Sequence, residues 1–162
     1  MNEMQFVTQD ESQTMAFGQQ LGQLVTPKTL ILLDGDLGAG KTTLTKGIAT
    51  ALGVKRPIKS PTFTIVREYL KGRLPLFHMD MYRLEDGDMS SIDLQSYFDQ
   101  GPVIVMEWSV NVLDQLPEDY LRIKIERLDN EIDSTKRHFI LEAIGEKNNE
   151  LIEELKKTSF SG

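Results

Sequence analysis

The sequence predicts a three-layer α/β fold in which helices flank a mixed, mostly parallel central sheet. In the first half of the chain, strand-like apolar segments alternate with segments of helical spacing. Two segments, Thr29–Asp34 and Val103–Glu107, are almost continuously apolar, as is typical of parallel strands that are buried on both faces. Towards the C-terminal end, residues 121–128 and 138–144 alternate like the strands of a hairpin, and these antiparallel strands would make the sheet mixed.

The first two helices follow from periodicity and from end signals. Apolar residues recur at helical spacing over Glu11–Leu24, and Ser12 or Thr14 is expected to cap this helix. Residues 41–52 form the second predicted helix, which Gly53 ends because glycine readily adopts the left-handed conformation that follows a helix.

Several further elements are predicted. They are β-like segments over 61–69 and 74–80, a helix over 90–98, a polar hairpin loop through Asp129 and Asn130, and a charged amphipathic helix over 146–157. A chain of 162 residues without repeats is expected to form one domain. We therefore predict a single domain over 1–162, with the helix from about residue 146 as a peripheral extension of unassigned function.

Composition limits the classes of function. The net charge is −7, and the 18 lysine and arginine residues are scattered along the chain, which disfavours strong direct binding of nucleic acid. The absence of cysteine excludes disulfides and thiolate metal sites. No apolar run is long enough to span a bilayer, and the N-terminal residues lack the pattern of a signal peptide, so a cytoplasmic location is expected.

The segment Gly35-x-x-x-x-Gly40-Lys41-Thr42 matches the Walker A pattern of a phosphate-binding P-loop. It follows an apolar strand and precedes a predicted helix, which is the strand-loop-helix context that the motif requires. Glycines let the backbone N–H groups approach phosphate oxygens, the Lys41 ammonium reaches the β- and γ-phosphates, and the Thr42 hydroxyl binds Mg²⁺. The expected nucleotide-binding residues within this P-loop NTPase-like fold are Gly35, Gly38, Ala39, Gly40, Lys41, Thr42 and Thr43.

Two carboxylates are candidates for the other half of a nucleotide site. Asp80 and Glu107 each end an apolar strand-like run, and the carboxyl ends of parallel strands face the crevice where ligands bind. Thr42 alone cannot complete the shell of a magnesium ion, so at least one of the two acids is expected at the metal.

Each of four further residues has either a functional or a purely structural interpretation. Thr62 and Thr64 are candidate γ-phosphate sensors or ordinary strand threonines. His78, within an apolar run, is a core histidine or a catalytic one. Trp108 is core packing or an exposed contact residue.

The absence of two motifs indicates which base the nucleotide carries. The chain contains neither the Asp-x-x-Gly nor the Asn-Lys-x-Asp motif of GTPases, which favours adenine over guanine. A small-molecule kinase would need an arginine-bearing lid, and the only basic loop, Lys71-Gly-Arg73, is short.

Four segments in the right order and spacing together resemble the TsaE family. They are Gly-Asp-Leu-Gly-Ala-Gly-Lys-Thr-Thr at 35–43, Ser-Pro-Thr-Phe at 60–63, His78-x-Asp80-x-Tyr82-Arg83-Leu84, and Glu107-Trp108. The P-loop alone is unspecific, but its combination with the other three is highly specific, and the resemblance extends over about residues 10–145. One departure is Ser109, where the family often has proline.

The resemblance implies a weak ATPase in the bacterial synthesis of N6-threonylcarbamoyladenosine (t6A) at position 37 of tRNAs that read ANN codons. It implies that ATP hydrolysis drives or resets a complex of TsaB-type and TsaD-type partner proteins, which would hold the tRNA. An assembly factor without essential hydrolysis and a small-molecule kinase are the alternatives.

The resemblance also implies residue roles. Lys41, Asp80 and Glu107 would be catalytic, Thr42 and Glu107 would bind Mg²⁺, and Asp80 could position water. Thr14 would lie near the adenine. Tyr82 and Trp108, with Thr62 and Thr64, are possible switch or partner contacts.

Overall fold

The structure is a computed structural model that describes residues 2–35, 40–55, 57–58, 66–81, 94–128 and 135–157. The strands in these residues are β1 (Asn2–Thr8), β2 (Thr29–Asp34), β3 (Val66–Tyr69), β4 (Leu76–Asp80), β5 (Val103–Glu107), β6 (Tyr120–Arg127) and β7 (Arg137–Ile144). The helices are α1 (Glu11–Leu24), α2 (Lys41–Ala51), α3 (Leu94–Phe98) and α4 (Glu146–Lys156), and a 3-10 helix spans Ser109–Gln115. None of these helices combines the length and the apolar character that crossing a membrane requires.

All the described strands belong to one sheet, in the order β1-β7-β6-β2-β5-β4-β3. The middle strands β6, β2, β5 and β4 are mutually parallel. Strand β3 pairs antiparallel with β4, and the hairpin β6-β7 together with β1 adds antiparallel strands at the other edge. The predicted α/β fold with a mixed sheet that is parallel in the middle is therefore confirmed.

Apolar side chains cover both faces of the middle strands, which explains their continuous apolar runs. Successive residues of β2 alternate between two clusters, with Ile31 and Leu33 on the face that carries α1 and α2, and Leu30 and Leu32 on the face that carries α3. Because each face is covered by helices, the strand has no polar face. Because β2, β5 and β4 are parallel neighbours, their C-terminal ends lie at one edge of the sheet.

The predicted cap of α1 is wrong. Asp10, not Ser12 or Thr14, caps the helix, and its carboxylate accepts a hydrogen bond of 2.9 Å from the Gln13 N–H. Thr14 lies one turn further along and is buried, with its hydroxyl 2.8 Å from that of Thr8. The helix begins at Glu11, so the preceding residue is in the capping position and the later hydroxyls are not.

Strand β1 was not predicted, although its signal was present. Met4, Phe6 and Thr8 are buried and alternate with more exposed neighbours. Phe6 lies 4.6 Å from Phe17 and 5.1 Å from Phe139 between ring centroids, so aromatic packing fixes β1 against α1 and β7.

Other boundaries agree with the sequence within a few residues. The described parts of the segments 61–69 and 90–98 are β3 and α3, while residues 61–65 and 90–93 and the hairpin loop through 129–130 lie outside the described residues. Helix α4, predicted as a peripheral extension, places Leu151, Ile152 and Leu155 in the cluster that contains α1 and α2.

Helices α1 and α2 cross at very close range through glycines. A Cβ atom added to Gly47 would lie 2.5 Å from the Met15 carbonyl oxygen and 2.9 Å from the Gly18 Cα atom. A Cβ atom added to Gly18 would meet the Leu44 carbonyl oxygen at 2.5 Å. This contact sets the position of α2, whose first turn carries Lys41.

We predict that Gly47→Ala destabilises the protein, although alanine is the better helix former by roughly 1 kcal/mol. Overpacking against a backbone typically costs about 1–3 kcal/mol, which corresponds to a melting temperature lower by roughly 2–10 °C. Thermal melts measure this, with Lys46→Ala at the neighbouring exposed position of α2 as the control. A Gly47→Ala protein that melts at or above the wild-type temperature would contradict the close crossing.

Candidate functional site

The phosphate loop is described at its two ends. Gly35 follows β2, and Gly40 is the N-cap of α2 with φ of 105°, a conformation that is strained for other residues. The first intrahelical hydrogen bond joins the Leu44 N–H to the Gly40 carbonyl oxygen at 3.0 Å. The N–H groups of the first turn come before this bond and are not used by the helix itself. Such a helix start attracts anions. The predicted contacts Gly38 and Ala39 lie outside the described residues.

Lys41, Glu107 and His78 form a contiguous polar cluster at the start of α2, the end of β5 and the middle of β4. The Lys41 Nζ atom lies 3.3 Å from Glu107 Oε1, and the His78 Nε2 atom lies 2.7 Å from Glu107 Oε2. His78 is fully buried, and the side chains of Lys41 and Glu107 are only 11% and 9% exposed. The two predicted catalytic residues Lys41 and Glu107 are therefore brought together, and each oxygen of Glu107 has a different partner.

The environment of Glu107 favours its ionised form. Burial is the largest single effect and opposes ionisation, but the hydrogen bond from His78 and the electrostatic attraction of His78 and Lys41 together outweigh it. The pKa of Glu107 consequently lies below its ordinary value. A buried carboxylate that stays charged next to a phosphate loop is suited to bind a cation.

Asp80 lies directly beside Glu107 in the sheet. The two residues are register partners on the parallel strands β4 and β5, and the Met81 N–H donates to the Glu107 carbonyl oxygen at 3.0 Å beyond the last pair. Asp80 is half-buried. The structure thus places both predicted acids at the same edge as Lys41.

The donor set fits a magnesium ion. Two carboxylates, Asp80 and Glu107, and the half-buried Thr42 of the first turn of α2 supply the oxygen ligands that Mg²⁺ prefers. The part of the chain that the structure describes contains no group of three or more His, Cys, Asp or Glu that would form an all-protein metal cage.

Trp108 is an exposed residue rather than a core residue. Its side chain is 45% exposed, and its backbone adopts the left-handed conformation with φ of 58°. The Lys41 ammonium lies 5.8 Å from the centroid of its ring, within range of a cation–π interaction. Val110 on the following 3-10 helix is 65% exposed, so an apolar surface adjoins the polar cluster.

A cavity of about 580 Å³ opens beside this cluster. The described residues that line it come from the ends of β2 and β6, the first turn of α2 and the segment after β5; they include Asp34, Gly35, Lys41, Trp108, Lys124 and Arg127. Its volume is in the usual range of ligand sites. A cavity of about 610 Å³ lined by Gly53–Lys55 and Glu68–Lys71 is more apolar but lies at the other end of α2, away from the phosphate loop.

Three residues beside the phosphate loop, Asp34, Arg122 and Arg137, were not singled out by sequence patterns. Arg137 is buried at the start of β7, and its Nε atom lies 4.0 Å from where a Cβ atom on Gly40 would be. Asp34 accepts a hydrogen bond of 2.6 Å from Arg122 immediately before the loop. Neither arginine differs in its sequence context from arginines elsewhere in the chain, since their neighbours in space are distant in sequence.

Other predicted contacts remain predictions. Thr14 is buried against Thr8 in the first turn of α1, at the edge of the sheet where β1 ends. Thr62, Thr64 and Tyr82 lie outside the described residues.

Comparisons with known proteins identify the family. Residues 8–138 match the family model described as threonylcarbamoyl adenosine biosynthesis protein TsaE. The tRNA threonylcarbamoyladenosine biosynthesis protein TsaE of Bacillus subtilis is 39% identical over 157 residues, which cover 97% of this chain and 96% of that protein. The protein of the same name from a Nostoc species is 42% identical over 118 residues, covering 70% and 72%. The fold matches the crystal structure of Bacillus subtilis YdiB with a TM-score of 0.83 and 35% identity, over 96% and 95% of the two chains. The chain described here therefore belongs to the TsaE family of threonylcarbamoyl adenosine biosynthesis proteins.

Proposed function

We propose that this protein binds and slowly hydrolyses ATP with Mg²⁺ at the phosphate loop, and that this activity serves t6A formation at position 37 of tRNAs that read ANN codons. The observation that carries the proposal is the Lys41–Glu107–His78 cluster at the start of the P-loop helix. It joins a phosphate-binding lysine to an ionised, buried carboxylate at the edge where nucleotides bind in such sheets.

The residues of the chain have distinct tasks in this proposal. The helix start after Gly40 and the Lys41 ammonium would bind the phosphates, while Thr42 and Glu107 would hold the metal. When bound, Mg²⁺ would supply charge neutralisation at the phosphates. Asp80, adjacent to Glu107 in register, would orient the attacking water. A movement of Lys41 from Glu107 to the phosphates would leave the Glu107 carboxylate available to the metal.

We propose that hydrolysis drives or resets a complex of TsaB-type and TsaD-type proteins in the cytoplasm, and that these partners hold the tRNA. The family has a role in tRNA modification, whereas this chain carries a net charge of −7. Several of its exposed cations are also paired with carboxylates: Lys124 with Glu126, Lys156 with Glu153, and Lys157 with Glu154. Cations that are paired in this way offer little unbalanced positive charge to a phosphate backbone.

We predict that Lys41→Ala weakens ATP binding by roughly 10- to 100-fold, because a hydrogen bond to a charged group is worth about 1.5–3 kcal/mol. Titration with a fluorescent ATP analogue measures the affinity. Lys46→Ala, on the exposed side of the same helix, controls for charge removal. Unchanged affinity in a folded Lys41→Ala protein would remove the P-loop role.

We predict that Trp108→Ala spares folding and nucleotide affinity but lowers the ATPase rate in the presence of partner proteins. Its side chain is 45% exposed, so its removal should cost far less than the roughly 3–5 kcal/mol of a buried aromatic. Phe77→Ala, at a fully buried position, is the control for a core aromatic in thermal melts. Partner-stimulated turnover at the wild-type level would refute a contact role for Trp108.

We predict that the isolated protein binds tRNA with a Kd weaker than about 1 μM at physiological salt, because its charge is unfavourable. A gel shift with the protein alone and with the partner complex tests this. The tRNA should shift only with the partners present. Tight binding by the isolated chain would contradict the division of tasks.

A further inference from the structure

His78 is a buried polar residue to which the proposed function gives no task. It lies in the middle of β4 among apolar residues and is fully buried. Its Nε2 atom contacts Glu107, while its Nδ1 atom has no hydrogen-bond partner among the described residues. An unsatisfied buried nitrogen costs free energy, so an apolar side chain would suit the stability of this strand better. The contact with Glu107 is the physical reason for a histidine here.

The two oxygens of Glu107 differ in how firmly their partners are fixed. Oε2 faces His78, 2.7 Å away, on a neighbouring strand that the sheet holds in register. Oε1 faces the Lys41 ammonium, 3.3 Å away, at the end of a long flexible side chain. Lys41 can therefore move to a phosphate, whereas the fully buried imidazole on a paired strand has much less freedom to move.

We propose that His78 is a positioning residue: it donates a hydrogen bond to Glu107 Oε2 and holds the carboxylate in place, so that the carboxylate would be oriented for Mg²⁺ once Lys41 has moved to a bound nucleotide. This inference rests on the proposed metal role of Glu107. A partner that orients a metal-binding side chain typically changes metal affinity by about 10- to 100-fold when it is removed. Without this hydrogen bond the carboxylate would be free to rotate once Lys41 has moved away, and fixing it on metal binding would cost affinity.

Substitutions that differ in reach separate positioning from packing. In His78→Gln, the side-chain amide reaches the place of Nε2 and can still donate to Oε2. In His78→Asn, the amide is one methylene shorter and cannot reach it, although the residue stays polar. His78→Leu removes the donor altogether. Val105→Ala, at the register partner of His78 on β5, is a packing control because Val105 is fully buried and has no polar atom.

The measurement is the Mg²⁺ concentration that half-saturates binding of a non-hydrolysable fluorescent ATP analogue, together with analogue affinity in the presence of a chelator and a thermal melt. His78→Asn and His78→Leu should raise the half-saturating Mg²⁺ concentration by about 10- to 100-fold and leave the chelator value nearly unchanged. His78→Gln should stay within about threefold of wild type. Val105→Ala should lower the melting temperature without any change in Mg²⁺ dependence. If His78→Leu does not fold, the pair of Asn and Gln variants decides.

Wild-type Mg²⁺ dependence in His78→Asn, or an equal loss in His78→Gln and Val105→Ala, would overturn the positioning role. Glu107→Ala separates this inference from the proposed function. If Glu107→Ala raises the Mg²⁺ requirement and His78→Asn does not, only the role of His78 fails. If Glu107→Ala also keeps the wild-type requirement, the metal role of Glu107 fails as well.

Discussion

The organisation of the site depends on one carboxylate that is buried and stays charged. Glu107 ends a strand that is covered on both faces, and a charge in such a place is stable only when cations and hydrogen-bond donors surround it. Lys41 and His78 meet this requirement from two different elements, a helix and a neighbouring strand. Through these direct contacts the phosphate loop is linked to the edge of the sheet that carries Glu107 and Asp80.

The parallel strands and the glycine crossing position these groups. Because β2, β5 and β4 run parallel, the phosphate loop, Glu107 and Asp80 all lie at one edge. The close contact between α1 and α2 at Gly18 and Gly47 fixes the position of α2 relative to the sheet. A displacement of α2 by a few tenths of an ångström would change the distance between Lys41 and Glu107, so the packing of two helices far from the chemistry bears on the site.

The surface near the site has two characters. The polar cluster is nearly closed to solvent, whereas Trp108 and Val110 beside it expose apolar atoms. Glu107 and Trp108 are consecutive residues, so the buried acid and the exposed ring are one peptide unit apart. The left-handed backbone at Trp108 turns the chain sharply after Glu107. This proximity gives a physical route by which a partner on the apolar surface could affect the lysine and the carboxylate, in agreement with the proposed dependence on partner proteins.

Features that depend on local chemistry could be predicted from the amino-acid sequence. Glycine spacing with Lys41 and Thr42 predicted the phosphate loop, and the apolar runs that end in Asp80 and Glu107 predicted neighbouring buried strands, because hydrophobic periodicity and backbone freedom are properties of short segments. Strand β1 was also within reach, since Met4, Phe6 and Thr8 alternate. The contact of His78 with Glu107, the packing of Arg137 beside Gly40 and the exposure of Trp108 became known only from the three-dimensional arrangement. These facts depend on strand register, on the close approach of helices and on the direction of the chain after β5, where residues distant in sequence meet, and no local pattern encodes those distances.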